Sequence, residues 1–192
     1  MENEIVHEVS PDEQCPRNSE GAFVTLEDGR LVFAYTEFYG GRGDASAAHI
    51  VRIDSEDDGR TWGERVELVP NEGKENVMSV SFVRLPDREM LLFYMIKNGW
   101  LDCRAHVRRS KDEAASWSEK TRVVTAPGYF VLNNDRVVRL SSGRLVVPVA
   151  YHRCRDSEDQ RQLRFDRRGI FMCYLSDDDG HTWREGRGWW GF

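Results

Sequence analysis

Ser176-Asp177-Asp178-Asp179-Gly180-His181-Thr182-Trp183 decides the fold, because the chain uses this octet three times. Ser55-Glu56-Asp57-Asp58-Gly59-Arg60-Thr61-Trp62 repeats it closely, and Ser110-Lys111-Asp112-Glu113-Ala114-Ala115-Ser116-Trp117 is a weaker copy. Each copy follows a short apolar run, and the copies start 55 and 66 residues apart. Recurrence at this spacing marks an array or a propeller.

The octet reads as a hairpin connection. The Ser hydroxyl and the Asp two positions on can bond nearby backbone groups, as such side chains do in turns. The Gly supplies a positive φ at little steric cost, and the Trp folds back as a large apolar plug. Ala114 stands where the other copies have Gly. A left-handed Ala costs roughly 1 kcal/mol, so the middle turn is expected to be distorted.

The octets sit in a repeated order of runs. In the first unit these are Ala22 to Leu26, a turn at Asp28-Gly29, Arg30 to Phe38, a glycine-rich loop at Tyr39 to Asp44, His49 to Ile53, the octet, and Val66 to Val69. Asp-Gly between two such runs is a strong hairpin signal. The second unit runs through Val77 to Leu85, Met90 to Ile96, Leu101 to Arg109, its octet and Thr121 to Val124. The third runs through Asp135 to Leu140, Arg144 to Tyr151, a polar loop at 152–167 and Gly169 to Leu175 before its octet. No segment of helical length carries a 3.6-residue apolar period. The expectation is an all-β chain of four-stranded antiparallel blades, at about 17–70, 75–125 and 130–192, with 4–9 as a closing strand for the last. Propellers usually have about 4–8 blades, and six at ~60 residues take roughly 360 residues. Three blades would leave an open apolar face, so self-association through it is expected.

Composition narrows the function. A 40% hydrophobic and 11% aromatic content suffices for a packed core. A net charge of −6 argues against nucleic acid or an anionic membrane as partner. The four cysteines, Cys15, Cys103, Cys154 and Cys173, form no Cys-x-x-Cys pair and read as free thiols. The five histidines show no metal-ligand spacing, and no cofactor is expected. Nothing at Met1-Glu2-Asn3-Glu4 resembles a signal peptide, and no apolar run approaches ~20 residues, so a cytoplasmic location is the expectation.

With these features in place, the octets are identified as Asp boxes, and the chain resembles the N-terminal half of a sialidase-type six-bladed propeller. Two residues stand where that family carries functional ones. Arg17, in Pro16-Arg17-Asn18-Ser19-Glu20-Gly21, occupies the place of an arginine that holds the substrate carboxylate, though without the family's Ile-Pro. Asp44, in Gly40-Gly41-Arg42-Gly43-Asp44-Ala45, occupies the place of the general acid. The residues alone favour an ordinary loop arginine at Arg17 and a turn residue after glycines at Asp44, and it is the resemblance that reverses this. Both roles are chemically sound, since a guanidinium grips a carboxylate in a two-pronged geometry and a loop carboxylic acid can protonate a departing glycosidic oxygen. By repeat position Met78 and Ser79 of the second unit, with Asn76, and Asn134, Asp135 and Arg136 of the third are substrate-binding candidates; Asn133-Asn134-Asp135 is also good turn chemistry. Arg30, Glu37 and Arg42 are further candidates.

The resemblance implies release of a terminal sialic acid, or a related acidic sugar, from a glycan. The family's Tyr nucleophile, its Glu partner and two more arginines come from later blades, so the chain alone is expected to be inactive. A non-catalytic carbohydrate-binding propeller is the alternative.

Overall fold

The computed structural model describes residues 5–155 and 164–191. Among them there are thirteen strands and no helix: β1 (Arg17–Thr25), β2 (Leu31–Phe38), β3 (Ala48–Ser55), β4 (Val66–Val69), β5 (Asn76–Arg84), β6 (Met90–Gly99), β7 (Asp102–Ser110), β8 (Thr121–Arg122), β9 (Gly128–Val131), β10 (Val138–Arg139), β11 (Leu145–Arg155), β12 (Arg164–Ser176) and β13 (Arg184–Gly191). Strands β1 to β4 form one antiparallel sheet in chain order. Strands β5 to β8 and β9 to β13 repeat the antiparallel pattern, and a two-rung parallel pairing of β7 with β9 joins them into one nine-stranded sheet.

The unbroken apolar run of β6 has a simple cause, because the strand is covered on both faces. Leu92, Tyr94 and Ile96 pack with Ala22, Ala34 and Ile50 of the first sheet. Leu91, Phe93 and Met95 pack with Leu145, Val147 and Val149 of β11. Strand β11 alternates over Leu145 to Ala150 as a half-buried strand does, whereas β2 alternates only at its start and is buried without a break from Ala34 to Phe38.

All three octets close the same hydrogen-bond ring. Ser55, Ser110 and Ser176 accept from the amides of Gly59 (2.8 Å), Ala114 (2.9 Å) and Gly180 (2.8 Å). Asp57, Asp112 and Asp178 accept from the amides of Thr61 (2.7 Å), Ser116 (2.9 Å) and Thr182 (2.9 Å). The middle turn is not distorted as its alanine predicts. Ala114 takes φ 62° and Glu113 φ 55°, so the left-handed strain is retained and the hydrogen bonds hold the shape.

Neighbouring units are tied through these turns. Arg52 of β3 donates to the carbonyl of Ala114 (3.0 Å), and Arg109 of β7 to that of Asp179 (2.9 Å). Trp117 packs against Leu26, Val32 and Met90, and Trp183 stands edge-on to Phe93 at 5.8 Å. Trp62 instead lies on the outer face of the first sheet, near Phe23 and Phe33, beside a cavity of about 380 Å³. Residues 5–9, read above as a closing strand, are irregular and run over this face, where Asn18 donates to the carbonyl of Val9 (3.1 Å). At the other end Phe171, Trp189 and Trp190 are exposed.

One local reading changes, and one holds. The polar loop at 152–167 lies partly outside the described residues, and its flanks are strand, with Cys154 paired to Phe165. Cys15, Cys103, Cys154 and Cys173 are free, and Cys15 and Cys103 are buried.

Candidate functional site

Arg17 begins β1, and Asp44 sits in the loop that leaves β2. The loop folds back tightly, since the amides of Tyr39 (3.0 Å) and Gly40 (3.1 Å) both donate to the carbonyl of Ala47. Glycine is required there: Gly41 has φ 136°, and a Cβ on Gly40 would lie 2.7 Å from the amide nitrogen of Ala47. The loop tip is closed by the Gly43 amide donating to the Ser46 hydroxyl (3.1 Å). Arg17 Nη1 then donates to the Asp44 carboxylate at 2.6 Å and to the carbonyl of Arg42 at 3.1 Å. Its guanidinium lies 4.3 Å above the ring of Phe38, a cation–π arrangement that fixes the fork. Asp44 is 69% exposed by side chain and Arg17 31%, so both face solvent at one rim.

The second unit holds this loop from behind. Asn76, buried at the start of β5, donates to the carbonyls of Asp44 (2.9 Å) and Ser46 (2.8 Å). Lys97, fully buried near the end of β6, donates to the same Asp44 carbonyl at 3.0 Å and lies 3.1 Å from the Glu75 carboxylate. Its ammonium also sits over the rings of Trp100 (4.8 Å) and Tyr129 (5.5 Å), which stack on each other at 5.2 Å. Phe165 meets both rings edge-on, and His152 stacks on Phe165 at 4.9 Å. Burial pushes the Tyr129 phenol up, with the charges of Cys103 and Asp44 adding to the effect. Burial also pushes the Cys103 thiol up to about 12, so it is no nucleophile in the neutral range.

The remaining candidates form a second group three residues along β5. A bulge between Met78 and Ser81 puts Ser79 at φ 62°, where its amide donates to the Thr36 hydroxyl (3.1 Å). The Asn134 side-chain carbonyl accepts from the Val80 amide (2.9 Å), and the Asp135 amide, at φ 52°, donates to the Val80 carbonyl (2.8 Å). The Arg136 amide donates to the Ser81 hydroxyl (3.2 Å). Asn134 is buried and committed to this junction, Asp135 and Arg136 present exposed side chains, and Met78 packs partly buried on the core of β6 and β11.

Of the lesser candidates, Arg30 pairs with Asp28 and Asp54, and Arg42 lends its carbonyl to Arg17. Glu37 is buried between Arg65 and His49. Among the described residues no three His, Cys, Asp or Glu side chains are grouped to hold a metal ion. Sequence reasoning missed Lys97. The available signal was a lone lysine closing an unbroken apolar strand.

The sequence family described as BNR repeat-like domain matches residues 29–189. No curated protein sequence matches the chain. Among solved structures, a protein of unknown function from Dyadobacter fermentans superposes with a TM-score of 0.70 at 16% identity, over 93% of this chain and 56% of that one. Trypanosoma rangeli sialidase, solved with 2,3-difluorosialic acid as a covalent intermediate, superposes at 0.65 and 19% identity, over 92% of this chain and 31% of that one. The leech intramolecular trans-sialidase gives 0.65 at 12% identity, over 96% and 45%. The chain thus spans from 31% to 56% of the length of these structures, and at such identities the likeness is one of fold. The chain belongs to the BNR repeat-like family, and its all-β antiparallel fold is similar to that of part of the sialidase propellers.

Proposed function

We propose that this chain provides the carboxylate-binding arginine and the general acid of a sialidase-type exo-glycosidase, on three blades, at 17–70, 75–125 and 130–192, of a six-bladed ring. The observation that supports this reading is the solvent-accessible Arg17–Asp44 contact at 2.6 Å, which joins the first residue of β1 to the loop after β2. An exposed ion pair of this kind contributes little to stability, roughly 0–1 kcal/mol. It has a use in recognition: an acidic sugar's carboxylate can take over the guanidinium fork and leave Asp44 free to carry a proton to the departing glycosidic oxygen. The covalent step needs a nucleophile from blades beyond the third, and two of the candidates above, Asp135 and Arg136, expose side chains that could meet the rest of the sugar.

In the full-length protein, Arg17→Ala is expected to lower turnover of an aryl sialoside by about 10²-fold or more, and Asp44→Asn by about 10²–10⁴-fold. Unchanged activity in Arg17→Ala rejects the carboxylate role. The 192-residue chain by itself is expected to show no turnover. If the full-length protein binds the acidic sugar without turning it over, and Arg17→Ala abolishes that binding while Asp44→Asn leaves it intact, the alternative of a non-catalytic carbohydrate-binding propeller stands in its place.

A further inference from the structure

Lys97 has an unusual set of partners for a side chain with no solvent exposure. An ammonium carries three donors and no acceptor, and burying it without partners is costly. Here the partners are the Glu75 carboxylate at 3.1 Å, the Asp44 carbonyl at 3.0 Å, and the faces of Trp100 and Tyr129. Two of these lie outside its own unit, the ring of Tyr129 on β9 and the backbone of the loop that carries Asp44. Asn76 reaches the same carbonyl at 2.9 Å. Asp44 is therefore gripped at both ends, its carbonyl by two buried donors of the second unit and its carboxylate by Arg17 of the first.

The loop needs that grip. Gly40, Gly41 and Gly43 leave it with many backbone conformations to lose on ordering. Its internal bonds close its base and tip, and do not place the tip relative to β5 and β6. The anchor is rigid in turn. A Cβ on Gly73 would lie 2.5 Å from the carbonyl oxygens of both Asn76 and Lys97, so the backbone around the two donors is closely packed. Trp100 and Tyr129 cover the ammonium, and this low-dielectric cover strengthens its hydrogen bond to the loop.

We propose that Lys97, assisted by Asn76, is the positioning residue for Asp44, holding its loop so that the carboxylate meets Arg17 at the rim. The proposal rests on the reading of Asp44 as the acid for its catalytic meaning, but not for its structural one. Because Lys97→Met leaves Glu75 without its cation, the double variant Lys97→Met/Glu75→Gln is tested beside it, with Lys97→Arg as the conservative variant. In the 192-residue chain, the side-chain nitrogen resonances of Arg17 report the ion pair, and Asp44→Asn gives their unpaired position. The double variant is expected to fold and to move the Arg17 resonances most of the way to that position, while Lys97→Arg stays near wild type. A folded double variant with wild-type Arg17 resonances overturns the proposal. So does failure of both Met variants to fold, which would make Lys97 a core requirement. In the full-length protein, Lys97→Met is expected to lower kcat by about 10–100-fold with KM changed less than about 3-fold, as misplacement of a proton donor does. Should Asp44→Asn leave kcat unchanged while the Arg17 resonances still respond to Lys97, the acid assignment falls and the positioning stands.

Discussion

Asp57, Asp112 and Asp178 occupy the same corner of the three octets, and each carboxyl is held down to about 2. The first cause is the Thr61 amide for Asp57, the Ser116 hydroxyl for Asp112 and the Thr182 hydroxyl for Asp178. A carboxyl lowered on folding adds stability that is complete above its unfolded value, near pH 4, and is lost as the pH falls toward about 2. Buried His106 adds a loss at higher pH. Burial lowers its ring to about 4, so the unfolded chain takes up its proton first, between about pH 6.5 and 4. Thermal stability is therefore expected to fall in two stages on acidification, and the His106 ring resonance to titrate with a midpoint near 4. Asp178→Asn should lower Tm by roughly 2–4 °C at neutral pH and flatten the acid limb, as differential scanning calorimetry across pH would show. These corners were legible in the sequence because every bond in them spans no more than four residues. Lys97 was not, because its partner on the Asp44 loop lies 53 residues away.

At the scale of elements, the strands were readable and their irregularities were not. Apolar runs and the Asp28-Gly29 turn announce β1 and β2, but nothing in Asn18-Ser19-Glu20-Gly21 announces the bulge that shifts their register between Asn18 and Gly21. Gly21 is the reason that pairing survives, since a Cβ there would lie 1.9 Å from the Ala34 carbonyl oxygen. Gly21→Ala should destabilise the chain by about 3 kcal/mol or more, measured by urea unfolding. Ala114→Gly is the opposite case. Relief of left-handed strain is worth roughly 1 kcal/mol, and loss of a methyl buried against Leu26, Val32 and Met90 costs about 0.8 kcal/mol. The net change should stay within about 0.5 kcal/mol, and a gain near 1 kcal/mol would mean the methyl packs less well than its burial implies. Asn134 shows what a polar run leaves unsaid. It was read as a ligand contact or a turn cap, and its side-chain carbonyl accepts from the backbone of the preceding unit.

For the whole molecule, the repeat foretold an all-β chain, and exposed aromatic groups lie on both its first and its last strands. Phe23, beside Phe33 and Trp62, is 55% exposed at one end, and Trp189 and Trp190 are 65% and 71% exposed at the other. Sedimentation velocity on the 192-residue chain is expected to show concentration-dependent association, reduced by Trp190→Ser and Phe23→Ser. A monomer at millimolar concentration would contradict this. The Arg17–Asp44 pairing belongs to this scale as well. It was reached through a family resemblance, because no local rule brings residues 17 and 44 to one rim.

Val80 offers both its backbone groups to the third unit, its amide to the Asn134 side chain and its carbonyl to the Asp135 amide. That is a sheet rung made with one borrowed side chain, and it rivets β5 to the turn between β9 and β10. Amide hydrogen exchange at Val80 and Asp135 should therefore proceed only by global unfolding, and far more slowly than in the Gly40–Ser46 loop. The second and third units are thereby expected to open together, as one cooperative body rather than as two separate sheets.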